Sequence, residues 1–146
     1  MKEPMEIKVS CPDGCVPFRA NPTDAGADLY YAGDEPVTIG TLSGATLGTG
    51  VKAEIPVGYM GEIRARSGLF FKKGIFCTGT IDSDYRGEIK VCLRNLSCND
   101  VVIEPMERIA QLCIVPVELC TFARVDEDKL SVTERGDGGF GSTGMK

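Results

Sequence analysis

The chain has 146 residues and a net charge of −5, from 16 Lys and Arg against 21 Asp and Glu, and it contains no histidine. The length fits one domain with a sizeable core; the acidity argues against direct nucleic-acid binding; and no stretch approaches the ~20 apolar residues of a membrane span. Without histidine there is no Ser-His-Asp or Cys-His chemistry and no histidine metal site, so a general base must be a carboxylate or, less readily, a lysine or tyrosine.

Along the chain the pattern is all-β, with short runs of alternating or β-branched residues between Gly, Pro and Asn/Asp turns. Strands are predicted near Glu6–Val9, Ala27–Tyr31, Val37–Ile39, Thr46–Ile55, Gly58–Arg64, Gly79–Ile81, Glu88–Asn95, Val101–Ile103, Ala110–Val117 and Phe122–Val125. Pro56-Val57-Gly58 and Asn99-Asp100 mark turns. Only Ser67–Lys73 reads as a helix, of about two turns. Many short strands at close spacing, with no repeat and no linker, point to a sandwich, jelly roll or barrel. Residues 1–125 form the expected body, and residues 126–146 a polar, glycine-rich arm outside it. The start, Met1-Lys2-Glu3-Pro4, lacks the apolar segment of a signal peptide. An intracellular, cytoplasmic protein is expected, with nuclear or organellar placement open. The seven cysteines then read as reduced thiols. Cys92, Cys113 and Cys120 sit in apolar runs and are expected in the core. Cys11-Pro12-Asp13-Gly14-Cys15 has the spacing of a disulfide loop or of half a zinc site, but no second cysteine pair completes the latter.

Five clusters carry candidate chemistry. Thr23-Asp24-Ala25-Gly26-Ala27-Asp28-Leu29-Tyr30 puts Asp28 at the start of an apolar strand. In Arg64-Ala65-Arg66-Ser67-Gly68-Leu69, Arg66 and Ser67 stand where a helix begins and free N–H groups favour anions. An ordinary N-cap role for Ser67 is compatible with that. Gly79-Thr80-Ile81-Asp82-Ser83-Asp84-Tyr85-Arg86-Gly87-Glu88-Ile89 reads as strand, tight turn, strand. Such a hairpin can read a base with its backbone edges and pack a ring on a sugar, or be a plain polar turn. In Arg108-Ile109-Ala110-Gln111-Leu112, Gln111 is a polar residue within an apolar run, either facing solvent or held for a purpose. The last cluster, Arg135-Gly136-Asp137-Gly138-Gly139-Phe140-Gly141-Ser142-Thr143-Gly144, offers a bidentate cation, a ring able to cap a base and glycines whose N–H groups can wrap phosphate. Its ordinary reading is a loose terminus. Its G-x-G-x-x-G match lacks the strand-and-helix context of a dinucleotide fold, and no Lys-Ser/Thr follows to make a P-loop.

In this order, Asp24–Leu29, Arg66–Gly68, Gly79–Gly87, Arg108–Gln111 and Arg135–Gly144 resemble the five motifs of the trimeric dUTP pyrophosphatases (dUTPases), over nearly the whole chain. The resemblance implies an all-β, distorted jelly-roll barrel, assembled as a homotrimer with active sites between subunits. It implies hydrolysis of dUTP to dUMP and pyrophosphate with Mg²⁺, which limits uracil in DNA and supplies dUMP for dTMP synthesis. By that resemblance Asp82 is the general base for water attack on the α-phosphorus, and Gln111 binds phosphate and helps place the water. Tyr85 packs on the deoxyribose and excludes a 2′-hydroxyl. Gly79, Thr80, Ile81 and Lys90 read uracil through backbone groups, and Arg66, Ser67 and Gly68 hold phosphate oxygens. Asp28 braces the site. Arg135 clamps the distal phosphates, Phe140 covers the base, and Gly141, Ser142 and Thr143 add phosphate contacts. No side chain is expected to hold the Mg²⁺ directly, since that ion keeps waters and takes ligands from the substrate.

Two positions depart from the pattern. Some members carry an asparagine that reads uracil six residues before the catalytic aspartate; here that residue is Phe76, followed by Cys77, so recognition should rest more on the backbone. Tyr30-Tyr31 is also bulkier than the pattern. The rival readings are a dCTP deaminase of the same fold, which would release ammonia, and a nucleotide-responsive regulatory binding protein. The presence of Asp82, Arg135 and Phe140 speaks against a dead enzyme.

Overall fold

Period-two burial shapes the strands. Along Lys90–Asn95, Val91, Leu93 and Asn95 point inward while Lys90, Cys92 and Arg94 face out. The computed structural model describes residues 3–144; Met1 and Lys2 of the expected body, and Met145 and Lys146 of the expected arm, lie outside the described residues. In chain order the strands are β1 (Lys8–Ser10), β2 (Ala27–Tyr30), β3 (Val37–Ile39), β4 (Gly44–Gly48), β5 (Lys52–Glu54), β6 (Tyr59–Arg64), β7 (Ile75–Phe76), β8 (Thr78–Ile81), β9 (Lys90–Asn95), β10 (Val101–Ile103) and β11 (Arg108–Pro116). Helix α1 (Ser67–Lys73) lies between β6 and β7, and a 3₁₀ turn covers Glu127–Lys129.

All pairings are antiparallel: a four-stranded sheet β2-β11-β6-β8, a three-stranded sheet β4-β9-β7, and the pairs β1-β5 and β3-β10. They form a distorted jelly roll around one core that includes Leu29, Ile39, Ile63, Leu93, Ile103 and Ile109. Two polar side chains are fully buried and both are satisfied. Asn95 donates to the carbonyls of Ile39 (2.9 Å) and Asn99 (2.8 Å) and accepts from Ser97. Thr49 donates to the Ile89 carbonyl (2.6 Å) and accepts from the Val51 N–H (3.2 Å).

The helix is bounded as expected, and Gly74 stops it in the left-handed conformation (φ 69°). Thr46–Ile55, expected as one strand, is two, because Gly50 adopts φ 70° and turns the chain around the buried Thr49. The short strand β7 was not expected; it pairs with β9 directly after the Gly74 stop. Phe122–Val125 forms no strand and is exposed. Of the three cysteines expected in the core only Cys113 is buried; Cys92 falls on the outward phase of β9, and Cys120 lies past β11. Cys15 and Cys77 are buried instead. Tyr31 is explained: its hydroxyl donates to the Glu35 carbonyl (2.8 Å), and its ring covers Gly33, where a Cβ would collide with it. Nothing in the structure explains the bulk of Tyr30. Among the described residues no helix is long and apolar enough to cross a membrane.

Candidate functional site

One cluster forms where β2, β11 and β6 meet. Gln111 on β11 is in register with Asp28 on β2 and with Arg64 on β6, so chain segments far apart in sequence bring these side chains together. Asp28 is committed to two arginines: Oδ1 accepts from Arg66 Nε (3.1 Å) and Oδ2 from Arg108 Nη1 (3.2 Å). Arg66 Nη1 also donates to the Arg108 carbonyl (3.2 Å). Arg108 lies over the Phe18 ring, 5.5 Å from its centroid. Phe18 in turn exchanges backbone hydrogen bonds with Asp28 (3.0 and 2.6 Å). The result is a guanidinium braced through Nε and Nη1 at the entrance to α1.

Gln111 Nε2 donates to the Ala65 carbonyl (3.0 Å). This placement needs Gly26: a Cβ there would lie 3.0 Å from Gln111 Cβ and collide with Oε1. The N-cap of α1 is Arg66 in an extended conformation (ψ 132°) without a side-chain cap, so Ser67 is not the N-cap but the first helical residue. Ser67 is exposed, and a Cβ added at Gly68 would meet nothing within 4 Å, so this side of the cluster is open to a bulky anion.

The second cluster is the hairpin-like β8–β9 turn, but its two strands do not pair with each other as expected: β8 pairs with β6, and β9 with β4 and β7, so the turn carries the chain from one sheet to the other. Thr80, Ile81, Asp82, Tyr85, Glu88 and Lys90 line a pocket of about 240 Å³. The turn is held from several sides. The Tyr85 N–H donates to the Asp82 carbonyl (3.1 Å), and the Tyr85 hydroxyl to the Glu88 carbonyl (2.8 Å). Arg86 Nη1 donates to the carbonyls of Ser83 (2.7 Å) and Tyr85 (3.2 Å) and reaches Ala53 (3.4 Å). Glu88 Oε1 accepts the Gly50 N–H (3.1 Å), which ties the hairpin to the β4–β5 turn. Gly87 is required by the Tyr85 ring, since a Cβ there would lie 2.5 Å from Cζ and 2.8 Å from Cε1. Asp82 is exposed at the pocket edge, and Gly79 lies behind it against Ile63. Behind the hairpin, burial pushes the Cys77 thiol up to about 11, which keeps it protonated and inert.

These clusters do not meet within one chain. The β6–β8 register runs Arg64↔Thr78 to Gly61↔Ile81, so Arg66 lies beyond one end of the ladder and Asp82 beyond the other. At ~3.4 Å per residue the two are separated by roughly 15–20 Å along the sheet. The last cluster meets neither. Arg135 Nε donates to the Gly138 carbonyl (2.6 Å), Gly136, Phe140 and Gly141 have positive φ, and the Phe140 ring is fully exposed. Sequence reasoning missed Phe18, and it placed Gly26, Gly87 and Glu88 inside these clusters without giving them a role. Gly26 and Gly87 leave a readable trace, each being a glycine one or two residues from a cluster member.

A family model described as dUTPase matches residues 13–144. The deoxyuridine 5'-triphosphate nucleotidohydrolase of Hydrogenobaculum sp. (strain Y04AAS1) is 50% identical, over 92% of this chain and 93% of its own. That of Chlamydia pneumoniae is 48% identical, over 90% and 92%. Among solved structures, the Staphylococcus bacteriophage 80alpha dUTPase G164S mutant with dUpNHpp superposes with a TM-score of 0.85 at 31% identity, covering 95% of this chain and 98% of that one. The D95N dUTPase of S. aureus phage phi11, described with a structural Mg(II) ion, gives 0.76 at 26% identity, over 84% and 98%.

Proposed function

The chain belongs to the dUTPase family, and we infer that it hydrolyses dUTP to dUMP and pyrophosphate at sites shared between the subunits of a homotrimer. The observation that carries the sharing is the register of β6 and β8: one chain holds its carboxylate hairpin and its phosphate-facing arginine at opposite ends of a sheet. A triphosphate seated by its base at Thr80–Lys90 can reach Arg66, Ser67, Gly68 and Gln111 only on another copy. A body spanning residues 1–125 and a closing arm spanning 126–146 complete this arrangement.

In this reading uracil meets the backbone of Gly79, Thr80, Ile81 and Lys90, and the deoxyribose packs on Tyr85. Asp82 accepts the proton of a water as its oxygen attacks the α-phosphorus. The bond to the bridging oxygen of pyrophosphate breaks, and pyrophosphate leaves with the electron pair. Gln111 orients that water. Arg66, fixed by Asp28 and Arg108, meets charge building on the phosphate oxygens without having to reorganise. The arm supplies Arg135 to the distal phosphates, Phe140 over the base, and Gly141, Ser142 and Thr143 to phosphate oxygens.

The donor set fits Mg²⁺ carried by substrate. Asp28 is already paired with two arginines. Mg²⁺ would be held by the substrate's phosphate oxygens and water and would neutralise charge on the triphosphate, which would reconcile an acidic protein with a polyanionic substrate. A cytoplasmic location belongs to the same proposal.

The test mixes two inactive variants, Asp82→Asn with its arm and wild-type Asp82 with residues 130–146 deleted. A site in a mixed trimer works when an intact hairpin meets an arm from another chain, which an equal mixture provides in about one site in four. Co-refolding should restore roughly a quarter of wild-type pyrophosphate release per site. Activity no higher than that of the separate variants, with mixed trimers shown to be present, rejects the shared site.

A further inference from the structure

Three phenylalanines stand together on the surface at the α1–β7 corner. Phe70 and Phe71 are 5.4 Å apart between ring centroids, and Phe70 and Phe76 are 6.0 Å apart, both edge to face. All three are exposed, Phe71 by 81%. Lys72 and Lys73 follow Phe70 and Phe71 in the last turn of α1, and Arg94 is the cross-strand partner of Phe76. Lys72 and Lys73 also line a neighbouring cleft with Asp100, whose Oδ1 already accepts the Thr41 N–H (3.3 Å). An aromatic patch beside cations on an acidic protein calls for an occupant that is apolar and acidic.

The chain carries such a segment. Residues 118–137 are all exposed, and within them Asp126-Glu127-Asp128 is followed by Leu130 and by Val132, which is 97% exposed. Position agrees with chemistry. Phe76, Thr78 and Thr80 are all exposed along β7 and β8, which join two different sheets at the buried Cys77, and four residues of chain keep Phe76 within ~14 Å of Thr80 in the nucleoside pocket. Val132 is eight residues before Phe140, a reach of up to ~27 Å.

We propose that the Phe70–Phe71–Phe76 patch, with its neighbouring cations, seats the Asp126–Val132 stretch of a second copy's arm. The arm's apolar side chains would cover the rings, and its acids would face Lys72, Lys73 and Arg94. This rests on the shared-site reading above and adds to it the surface that guides the arm before Phe140 reaches the base.

The chain has no tryptophan, so Val132→Trp gives a single reporter on the arm. Saturating dUpNHpp with Mg²⁺ should shift its emission to shorter wavelength as the indole leaves water. Phe71→Ser, an exposed position that should not disturb folding, and Lys72→Glu/Lys73→Glu should remove most of the shift and weaken analogue-dependent closure on the order of tenfold. Affinity for dUMP, measured separately, should not change. A reporter chain that also carries Asp126→Lys/Asp128→Lys should show no shift alone. It should regain the shift when mixed with Lys72→Glu/Lys73→Glu chains, because only an arm crossing to another copy then meets opposite charge. A full shift in the patch variants, no shift in the unsubstituted reporter, or no recovery in the mixture overturns the proposal. Restored turnover in the arm-deletion mixture tells this failure apart from failure of the shared site itself.

Discussion

Gly87→Ala isolates the role of the Tyr85 ring without touching it. Gly87 has no positive φ, so alanine is acceptable to the backbone. The new Cβ would, however, sit 2.5 Å from Tyr85 Cζ, a contact that no side chain tolerates. Tyr85 is exposed and its side chain makes one hydrogen bond, to the Glu88 carbonyl at 2.8 Å. Displacing it should therefore cost only about 0.5–1.5 kcal/mol of stability. The functional loss should be larger. If the ring is the wall on which deoxyribose packs, its departure removes contacts worth about 1–3 kcal/mol in the transition state, a ~10- to 100-fold fall in kcat/KM for dUTP. The preference for dUTP over UTP should narrow, because the 2′-hydroxyl is no longer excluded. Pyrophosphate release from both nucleotides gives the ratio, and thermal unfolding gives the stability. The double variant Gly87→Ala/Tyr85→Ala should behave like Tyr85→Ala alone, since both act on one ring. Additive losses, or an unchanged dUTP-to-UTP ratio, would refute the reasoning.

Asp28→Ala should reach the chemistry through Arg66. It leaves two guanidiniums, 29% and 38% exposed, without their acid, a loss of about 1–3 kcal/mol after discounting for solvent screening. KM for dUTP should rise while dUMP binding holds; equal weakening of both would move Asp28's role to the hairpin. Cys77 should make stability fall at high pH: burial raises its folded value to about 11 from 9.0, so the protonated thiol supports the fold fully below 9 and that support is lost as pH climbs through 11. Urea midpoints of wild type and Cys77→Ala should converge across that window, and parallel profiles would assign the decline elsewhere.

What sequence could and could not disclose follows from the range of the forces involved. The helix Ser67–Lys73 was legible because its stop is local, a single glycine at φ 69°. The turn from Asp82 to Gly87 was legible because it carries its own turn chemistry, but the pairing of its flanking strands was not: β8 joins β6 and β9 joins β4 and β7, segments far away in sequence. The break inside Thr46–Ile55 also falls at a glycine, Gly50, but it was not legible because the bonds that hold this turn are distant: Thr49 to the Ile89 carbonyl and the Gly50 N–H to Glu88. The phase of β9 also misled: Cys92 sits among apolar letters, yet alternation turns it outward between Val91 and Leu93. Asp28 was legible as a bracing residue through family resemblance, but its two arginines and the ring beneath Arg108 come together only once β2, β11 and α1 are folded. Phe122 and Val125 look like strand residues because they are apolar, and in this chain they have no strand to pair with.

The separation of the two clusters changes how damage should be counted. Gly26 serves Gln111 and the Arg66 cluster; Gly87 serves Tyr85 and the Asp82 hairpin. Both lie in one chain, but the β6–β8 register sends them to different sites of the proposed trimer. A chain defective at both positions spoils one site through its hairpin and another through its arginine cluster. Two chains with one defect each, placed in the same trimer, can leave a site built entirely from undamaged parts. On the proposed trimer the same geometry gives the glycine-rich arm a reason to cross to other copies. A tail that bound its own chain would find either the base or the phosphate grip, never both, whereas a tail that crosses to other copies closes over the one place where they meet.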